Sequence, residues 1–583
     1  MSILATENKL LNAIFKKYLI GTVIAIVCNI LGFFANGILM GNFFGKIGLA
    51  VFGLTTPIVY GTLAISYIFS HGGSIVCSNN MSDKNRVNNN FTIVCLVGFI
   101  VGLFITFLLF IFLTNIVQFL GASSESLGPT LSYMNGFLWA ILPTMFVTIL
   151  NNYSRIDGFP VLGLKGGMIL FISNVVLDLI FVLVFGMGIF GIGFATALSN
   201  YITVIYLIKH FLSNNSSFKL KKHLEFKQEL FEIVKTGLPN SLNQIYNMVR
   251  TMITNNLALM VGGLIFLGAL SVQSNVYMLL CGLGVGIGTS TLALGGIFYG
   301  ENDRMQLEQL LRLSIAYALI FISLITLILI VFAPYFVYAF GKNPEVYATA
   351  IRGLRIFAFS LPFSALCYVM LNFYNATKQL KLANYVSFAH SFLFLSLFAT
   401  IFSFLIGGDG IWISFVLCEI VTLLTIPLLI KFKTKKFPKS INDFILMDDD
   451  QFPEEDTFVA YIKSQDELMM IIKNLDEYLI GNDLDEKIKL KIQLVLEEMG
   501  LNILNHAYKE NERKDMNIRI KYKNTENVII YFQDNGMPFD LEKDFEKNDE
   551  LYGISIIKKV SSDIDYNYNV KLNNNKIIIP IKT

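Results

Sequence analysis

Glu498, Asn502 and His506 recur one helical turn apart in the stretch Lys491–Tyr508. Their i, i+4, i+8 spacing predicts a helix carrying all three on one face, with Leu494, Leu501 and Leu504 on another. A carboxylate one turn from a carboxamide suits ATP chemistry: the acid polarises water or a hydroxyl, and the amide oxygen holds Mg²⁺ between phosphates. Downstream lie Asp534-Asn535-Gly536-Met537-Pro538-Phe539-Asp540 and then Gly553. A second pair at the same spacing, Asn174 and Asp178, sits in a long apolar run. An ionisable side chain inside a membrane helix is costly and points to function; here the pair offers hard oxygens to Na⁺ or a carboxylate to H⁺. Gln244, Asn247, Arg250 and Asn255 follow in another apolar run, with Asn372, Tyr374 and Glu419 further on. Arg250 and Glu419 have the charges to pair inside a bundle, as a gate or a structural lock. His71 and His390 read as neutral histidines satisfied by hydrogen bonds, the alternative being mobile proton carriers. Phe33-Phe34 and Phe43-Phe44 could line a cavity for aromatic cations or simply face lipid.

The scaffold that positions these groups follows from composition. Of 583 residues, 54% are hydrophobic, 51 are Phe and only 15% are charged, too apolar for an ordinary soluble protein. Since about 20 apolar residues cross a bilayer, twelve spans are expected. They fall near 18–40, 48–72, 91–115, 130–152, 161–185, 189–211, 238–261, 265–297, 313–333, 348–374, 384–406 and 410–431. Lys and Arg gather at the N-terminus and in every second loop, notably Lys84 and Arg86, Arg155 and Lys165, Lys209–Lys235 and Lys431–Lys436. That asymmetry predicts both termini in the cytoplasm of a plasma (inner) membrane protein. Sequence similarities recur at a near-constant offset: Ser82–Arg86 with Gly300–Arg304 at 218 positions, and Gly191-Ile192 with Gly410-Ile411 at 219. Asn36 precedes Asn255 by the same 219. Two six-helix repeats in one orientation are expected, spanning 1–220 and 221–436, with a binding site between them. The six cysteines lie in apolar segments at wide spacing, which suggests neither a metal site nor a disulfide framework.

Beyond an acidic linker at 437–456, residues 457–583 are dense in Lys, Asp, Glu and Asn and form a separate unit. A strand is predicted at 457–462, helices at 465–479 and 484–508, a hairpin from 517–522 and 527–533, a helix at 554–560 and strands at 564–570 and 576–581. Helices on one face of an antiparallel sheet make an α+β sandwich.

Residues 10–432 resemble the multidrug and toxic compound extrusion (MATE) family. The text that carries the resemblance is Gly53-Leu54-Thr55-Thr56-Pro57, Ser154-Arg155-Ile156-Asp157-Gly158-Phe159-Pro160, Asn174-Val175-Val176-Leu177-Asp178, Gly191–Thr196 and Gly237-Leu238-Pro239. The resemblance implies twelve helices in two lobes, exporting substrate in exchange for Na⁺ or H⁺. It also implies a cation site in the N-terminal lobe formed by Asn174, Asp178 and Thr196, completed by an acid on the first helix. Asn36 stands at that last position, so one carboxylate fewer is available.

The C-terminal stretch resembles the GHKL ATPase fold, and within it the serine-kinase-like anti-sigma factors. The shared pattern is E-x-x-x-N-x-x-x-H-A, then D-x-G-x-P-F-D, then a glycine-rich turn opening a later helix. The resemblance implies that Glu498 is the general base, Asn502 the Mg²⁺ ligand, Asp534 the acceptor for the adenine amino group, Gly536 a close-approach position and Gly553 the start of the phosphate-side helix. His506 and Ala507 pack. Leu551 replaces the family's first glycine of the later turn. The stretch between Asp540 and Gly553 is short and acidic for an ATP lid.

The expectation is an ion-coupled exporter of drugs, organic cations or metabolites. Its cytoplasmic domain binds Mg-ATP and acts on a Ser or Thr of a small phosphoacceptor protein. No nucleic-acid partner is expected. No GxxxxGK[ST] P-loop is present, which argues against a nucleotide-driven motor. The alternatives are a transporter-like receptor that controls a kinase domain, an exporter of lipid or polysaccharide precursors, and a cytoplasmic fold that docks a protein partner without ATP.

Overall fold

The computed structural model of the chain describes residues 2–81, 83–213, 216–222, 224–300, 304–341, 344–446, 457–479, 485–508, 514–523, 527–538, 552–569 and 572–581. The chain divides into two compact units. One comprises Gly21–Thr289 and Ser314–Lys439; the other comprises Met1–Ile20, Ser290–Leu313 and Ser440–Thr583.

The helices of residues 2–434, of which the first unit takes all but Met1–Ile20 and Ser290–Leu313, are α1 (Ser2–Asn79), α2 (Lys84–Phe119), α3 (Ser124–Phe137), α4 (Ile141–Ile156), α5 (Pro160–Leu179), α6 (Gly188–Phe211), α7 (Phe226–Gly300), α8 (Arg304–Ala339), α9 (Pro344–Ala358), α10 (Leu361–Ala376), α11 (Leu380–Phe388), α12 (Phe394–Ile406) and α13 (Gly408–Thr434). Their starts are written in the sequence. The Asp83 carboxylate accepts from the backbone N–H groups of Asn85 and Arg86 at the head of α2. Pro160 opens α5, where its missing N–H costs nothing. Among the described residues, nine helices are long and apolar enough to cross a membrane, or ten if the pair α9 and α10, bent by 47°, is one span.

The internal repeat is written in the backbone. α1 is broken at Gly45 (φ 58°, ψ −138°) and α7 at Gly263 (φ 58°, ψ −150°). The left-handed positions Gly121, Gly158 and Gly188 have left-handed counterparts at Gly341, Lys378 and Gly407. These four pairs are separated by 218, 220, 220 and 219 residues, the offset expected from the sequence. Glycine serves at the first pair because a side chain at φ 58° with ψ near −140° meets the backbone.

In the second unit, β1 (Thr457–Ile462), β2 (Met516–Lys523), β3 (Asn527–Asp534), β4 (Asp563–Asn569) and β5 (Leu572–Pro580) form one antiparallel sheet in the order β1-β2-β3-β5-β4. Helices α14 (Gln465–Leu479), α15 (Glu486–His506) and α16 (Tyr552–Val560) pack with it around a core of Ile492, Val495, Met499, Ile518, Ile530 and Ile577. This is the expected α+β sandwich; β2 and β3 are longer than expected by one residue at one or both ends, β4 is shifted by one, and β5 begins four residues before its expected start at 576. One detail differs. The buried stripe of α15 runs through Ile488, Ile492, Val495, Leu496, Met499, Ile503 and Leu504, whereas Leu494 and Leu501 are only half-buried. The alternate face of the sheet is polar yet also buried, with Asn517, Arg519 and Gln533 within it and Arg519 over the Tyr531 ring at 5.5 Å.

Candidate functional site

The candidate ion site is assembled from α1, α5 and α6. Asn36 Nδ2 donates to Thr196 Oγ1 at 3.1 Å, and Asn174 Nδ2 donates to the same oxygen at 3.4 Å. Thr196 gives its own proton to the Ile192 carbonyl. Asp178, one turn beyond Asn174, is fully buried, and both of its carboxylate oxygens lack a hydrogen-bond partner. Asn36 Oδ1 lacks one too. Buried polar atoms are normally paired. The orphaned Asn36 Oδ1 and the two orphaned Asp178 oxygens, one turn from an amide on the same hydroxyl, are hard oxygens of the kind a monovalent cation or a proton takes. A five-residue π-helical turn, Ile180–Val184, follows α5 directly, a local irregularity of the kind often found at functional sites.

The polar groups of the later helices separate into two places. Glu419 does not pair with Arg250. Its Oε2 meets His390 Nδ1 at 2.8 Å, with both side chains buried. His390 lies within a second π-helical turn, Ala389–Leu393, which inserts a residue and rotates the ring toward α13. Cys367 stands close by, its Sγ directed to the Glu419 carbonyl at 3.8 Å. Arg250 instead lies over the Tyr277 ring at 5.9 Å and lines a cavity of about 30 Å³ with Tyr60, Asn255, Gln273 and Asn275. Asn255 is tied there by donation to the Gly53 carbonyl at 2.7 Å. Gln244 and Asn247 do not line this cavity; Asn247 bonds Asn243. Phe33 does line it and packs on Phe52 at 4.5 Å, whereas Phe34 packs on Phe340. His71 packs against Tyr67 with ring centroids 4.6 Å apart and the planes tilted by 55°, and Asn372 donates to the Tyr368 carbonyl. Gln273 and Asn275 escaped notice in the sequence, although two amides in an otherwise apolar run were the available signal. The five described cysteines are unpaired.

The candidate nucleotide site centres on the end of α15. The turn after β3 docks there: Met537 N donates to the Ala507 carbonyl at 2.6 Å. Gly536 makes the approach close, since a Cβ at that position would lie 2.5 Å from the Ala507 oxygen. Asp534 Oδ1 accepts from Gly536 N at 2.9 Å and from Asn573 Nδ2 at 2.8 Å. Asn573 also donates to the Met537 carbonyl, so it clamps the turn. Only the β3–β5 register, which pairs Asp534 with Asn573, reveals that role. Burial pushes the Asp534 carboxyl up to about 6, with the two hydrogen bonds opposing it. Asn502 is half-buried and its Nδ2 has no partner; Glu498 is half-buried one turn before it. His506 is exposed and Ala507 buried. The buried Asp534 fits the base end of a bound Mg-nucleotide; the orphaned Asn502 Nδ2 is a donor suited to a phosphate oxygen, and a metal would take the amide oxygen of the same side chain. In that reading Asn502 would hold the metal, Asp534 the base, and Glu498 would face the phosphate end. Gly553 lies in the first turn of α16. Asp540, Leu551 and the acidic stretch between them lie outside the described residues.

The fold and the two sites define a polytopic helical bundle with an internal repeat, carrying an ATPase-like α+β domain. The comparisons with known proteins agree. The MatE family matches residues 21–184 and 239–403, and the chain belongs to it. The histidine kinase-like ATPase domain family matches residues 465–579. Among characterised relatives, the multidrug export protein MepA of Staphylococcus saprophyticus is 27% identical over 242 residues, covering 41% of this chain and about half (52%) of that protein. MepA of Staphylococcus haemolyticus is 22% identical over 410 residues, covering 69% of this chain and 88% of that protein. Two solved structures share the fold. An inward-facing multidrug resistance MATE transporter of the MOP superfamily superposes with a TM-score of 0.62 at 21% identity, covering 69% of this chain and 96% of that one. An outward-facing counterpart gives 0.59 at 22% identity, covering 71% and 93%.

Proposed function

We propose that the chain is a secondary active exporter of small molecules, driven by entry of Na⁺ or H⁺ at Asn36, Asn174, Asp178 and Thr196. The observation that carries this reading is the pair of buried, unpartnered Asp178 oxygens one turn from an amide that shares a hydroxyl with Asn36. A carboxylate left without donors in a low-dielectric bundle is costly unless a cation or proton joins it. Binding there supplies the free energy that rocks the two lobes, 1–220 and 221–436. In this reading the helix breaks at Gly45 and Gly263 each divide one long helix into two spans, which gives twelve. The positions of the basic loops support an orientation with both termini in the cytoplasm. The domain from 457 onward then meets cytoplasmic ATP. Glu498, Asn502, Asp534, Gly536 and Gly553 form its nucleotide site, and it regulates transport.

The test is uptake or efflux by the purified protein in sealed vesicles under an imposed Na⁺ or H⁺ gradient. Gradient-driven flux that Asp178→Asn abolishes is the expected result. Equal flux with and without both gradients would sink the coupling, and no flux under either would favour a receptor.

A further inference from the structure

Arg250 is more than nine-tenths buried in the helical unit, yet no carboxylate among the described residues lies within ion-pair distance of it. The nearest candidate by charge, Glu419, is held by His390. Tyr277 lends its ring face to the guanidinium, which offsets part of the cost of burial, and Arg250 lines the cavity. Among the described residues, no acidic side chain lines that cavity, and Arg250 is its one charged lining residue. Both polar atoms of Gln273 and the Oδ1 of Asn275 are buried there without partners. Of these atoms only Gln273 Nε2 is a donor; it lines the cavity together with a guanidinium that has no carboxylate partner among the described residues, and the two suit an anion, because Arg meets carboxylate and phosphate oxygens two at a time. The stretches 53–60 and 250–255, which wall this cavity, also border a second, apolar cleft of about 920 Å³, lined by Ile58, Leu108, Phe112, Phe119, Met248 and Met252.

We infer that Arg250 is the headgroup subsite for an amphipathic organic anion: a carboxylate on the guanidinium, an amide contact from Gln273, and an apolar body along the neighbouring cleft. The inference rests on the exporter reading and changes its substrate class from organic cation to organic anion. In the conformation described, the cavity of about 30 Å³ holds little more than a water, so the subsite is closed around the arginine and opens when the lobes part.

The experiment uses two probes with one fluorophore and opposite charge, dansylglycine and dansylcholine. Each is titrated by fluorescence anisotropy against the full-length protein in lipid nanodiscs, without any ion gradient. Dansylglycine is expected to bind about tenfold or more tightly than dansylcholine. Arg250→Gln should weaken dansylglycine about tenfold or more while moving dansylcholine by no more than roughly threefold. Arg250→Lys, which keeps the charge but not the fork, should fall between. Tighter binding of dansylcholine by the wild type overturns the inference, as does dansylglycine binding that Arg250→Gln leaves unchanged. Should Arg250→Gln not fold, competition on the wild type decides. Displacement of dansylglycine by benzoate but not by benzyltrimethylammonium supports the anion subsite, and the reverse order overturns it. Because binding is read without a gradient, loss of ion coupling would not alter the result.

Discussion

Asn36 and Thr196, 160 residues apart in the chain, meet at 3.1 Å, and the amide is the donor. The direction is forced. The threonine proton is already given to the Ile192 carbonyl, so its oxygen can only accept from Asn36 and from Asn174. Both amides therefore spend a donor on Thr196 and keep their oxygens for something else. A single hydroxyl thus sets the polarity of the candidate ion site.

Thr196→Val removes that acceptor while preserving shape. The amides are then free to turn N–H groups toward the site, where they repel a cation. Loss of two neutral hydrogen bonds should lower stability by about 1–3 kcal/mol. Na⁺- or H⁺-dependent thermal stabilisation of the purified protein should disappear. Thr196→Ser should retain it. Unchanged stabilisation in the valine variant would remove the threonine from the site.

Asp178→Asn separates structure from function at the same place. The carboxylate makes no hydrogen bond in the structure, so replacing it with a neutral isostere forfeits no native contact and relieves a buried charge. Thermal unfolding should therefore be unchanged or raised, while gradient-driven flux is lost. A variant that unfolds instead would mean that Asp178 holds the lobe together through a partner.

Much of the helical unit was legible in the sequence, because its determinants are local or periodic. Apolar runs fix spans, Lys and Arg fix loops, and the recurring Ser82–Arg86 text anticipated the offset that the left-handed positions Gly45 and Gly263 display. Pairing inside the bundle was not legible. Arg250 and Glu419 have complementary charges, but which way a side chain faces depends on helix rotation. The π-helical turn at Ala389–Leu393 changes the helical phase in a way no 3.6-residue pattern anticipates. The clamp of Asn573 on Asp534 was hidden for a related reason: it exists only through strand register.

The His390–Glu419 pair is itself testable. Glu419 is 6% exposed and His390 2% exposed, so removing one partner strands the other in a low-dielectric site. His390→Phe should cost about 3–5 kcal/mol, and Glu419→Gln less because the amide oxygen still accepts from the ring. The double variant His390→Phe with Glu419→Leu should recover much of the loss. Additive costs in that thermal-unfolding cycle would show that the two groups do not interact.

Gly536→Ala addresses the nucleotide domain. The new Cβ would stand 2.5 Å from the Ala507 carbonyl oxygen and 2.6 Å from its Cβ, and backbone cannot yield cheaply there. The turn must lift off α15, at about 1–3 kcal/mol. Mg-ATP binding by the full-length protein should fall by at least tenfold. At Gly500 the atoms nearest a new Cβ are the Leu468 methyls, at 2.6 and 2.9 Å, side-chain ends rather than backbone, so Gly500→Ala serves as a packing control that should retain binding.

Asp534→Asn sets stability against binding, and pH gives the sign. Burial raises the folded-state carboxyl to about 6, above the value near 3.9 of an unfolded aspartate. The folded domain thus keeps a proton that the unfolded chain gives up. The contribution is fully present below about pH 4, is lost progressively as pH rises through 6, and is flat above that. At neutral pH the ionised side chain costs the domain up to about 3 kcal/mol, an order-of-magnitude figure. Asparagine cannot ionise, so the variant should be more stable than the wild type above pH 6 and nearly equal to it near pH 4. Hydrogen exchange of β3 and β5 in the full-length protein would read this directly. The same substitution replaces a carboxylate that can accept the adenine amino proton, so Mg-ATP binding should weaken even as the strands become better protected. In the wild type, affinity should fall as pH drops through 6 and the acceptor becomes protonated. Slower exchange together with lost binding would place Asp534 in the nucleotide site rather than in the fold's support. Parallel loss of protection and binding would assign it to support alone.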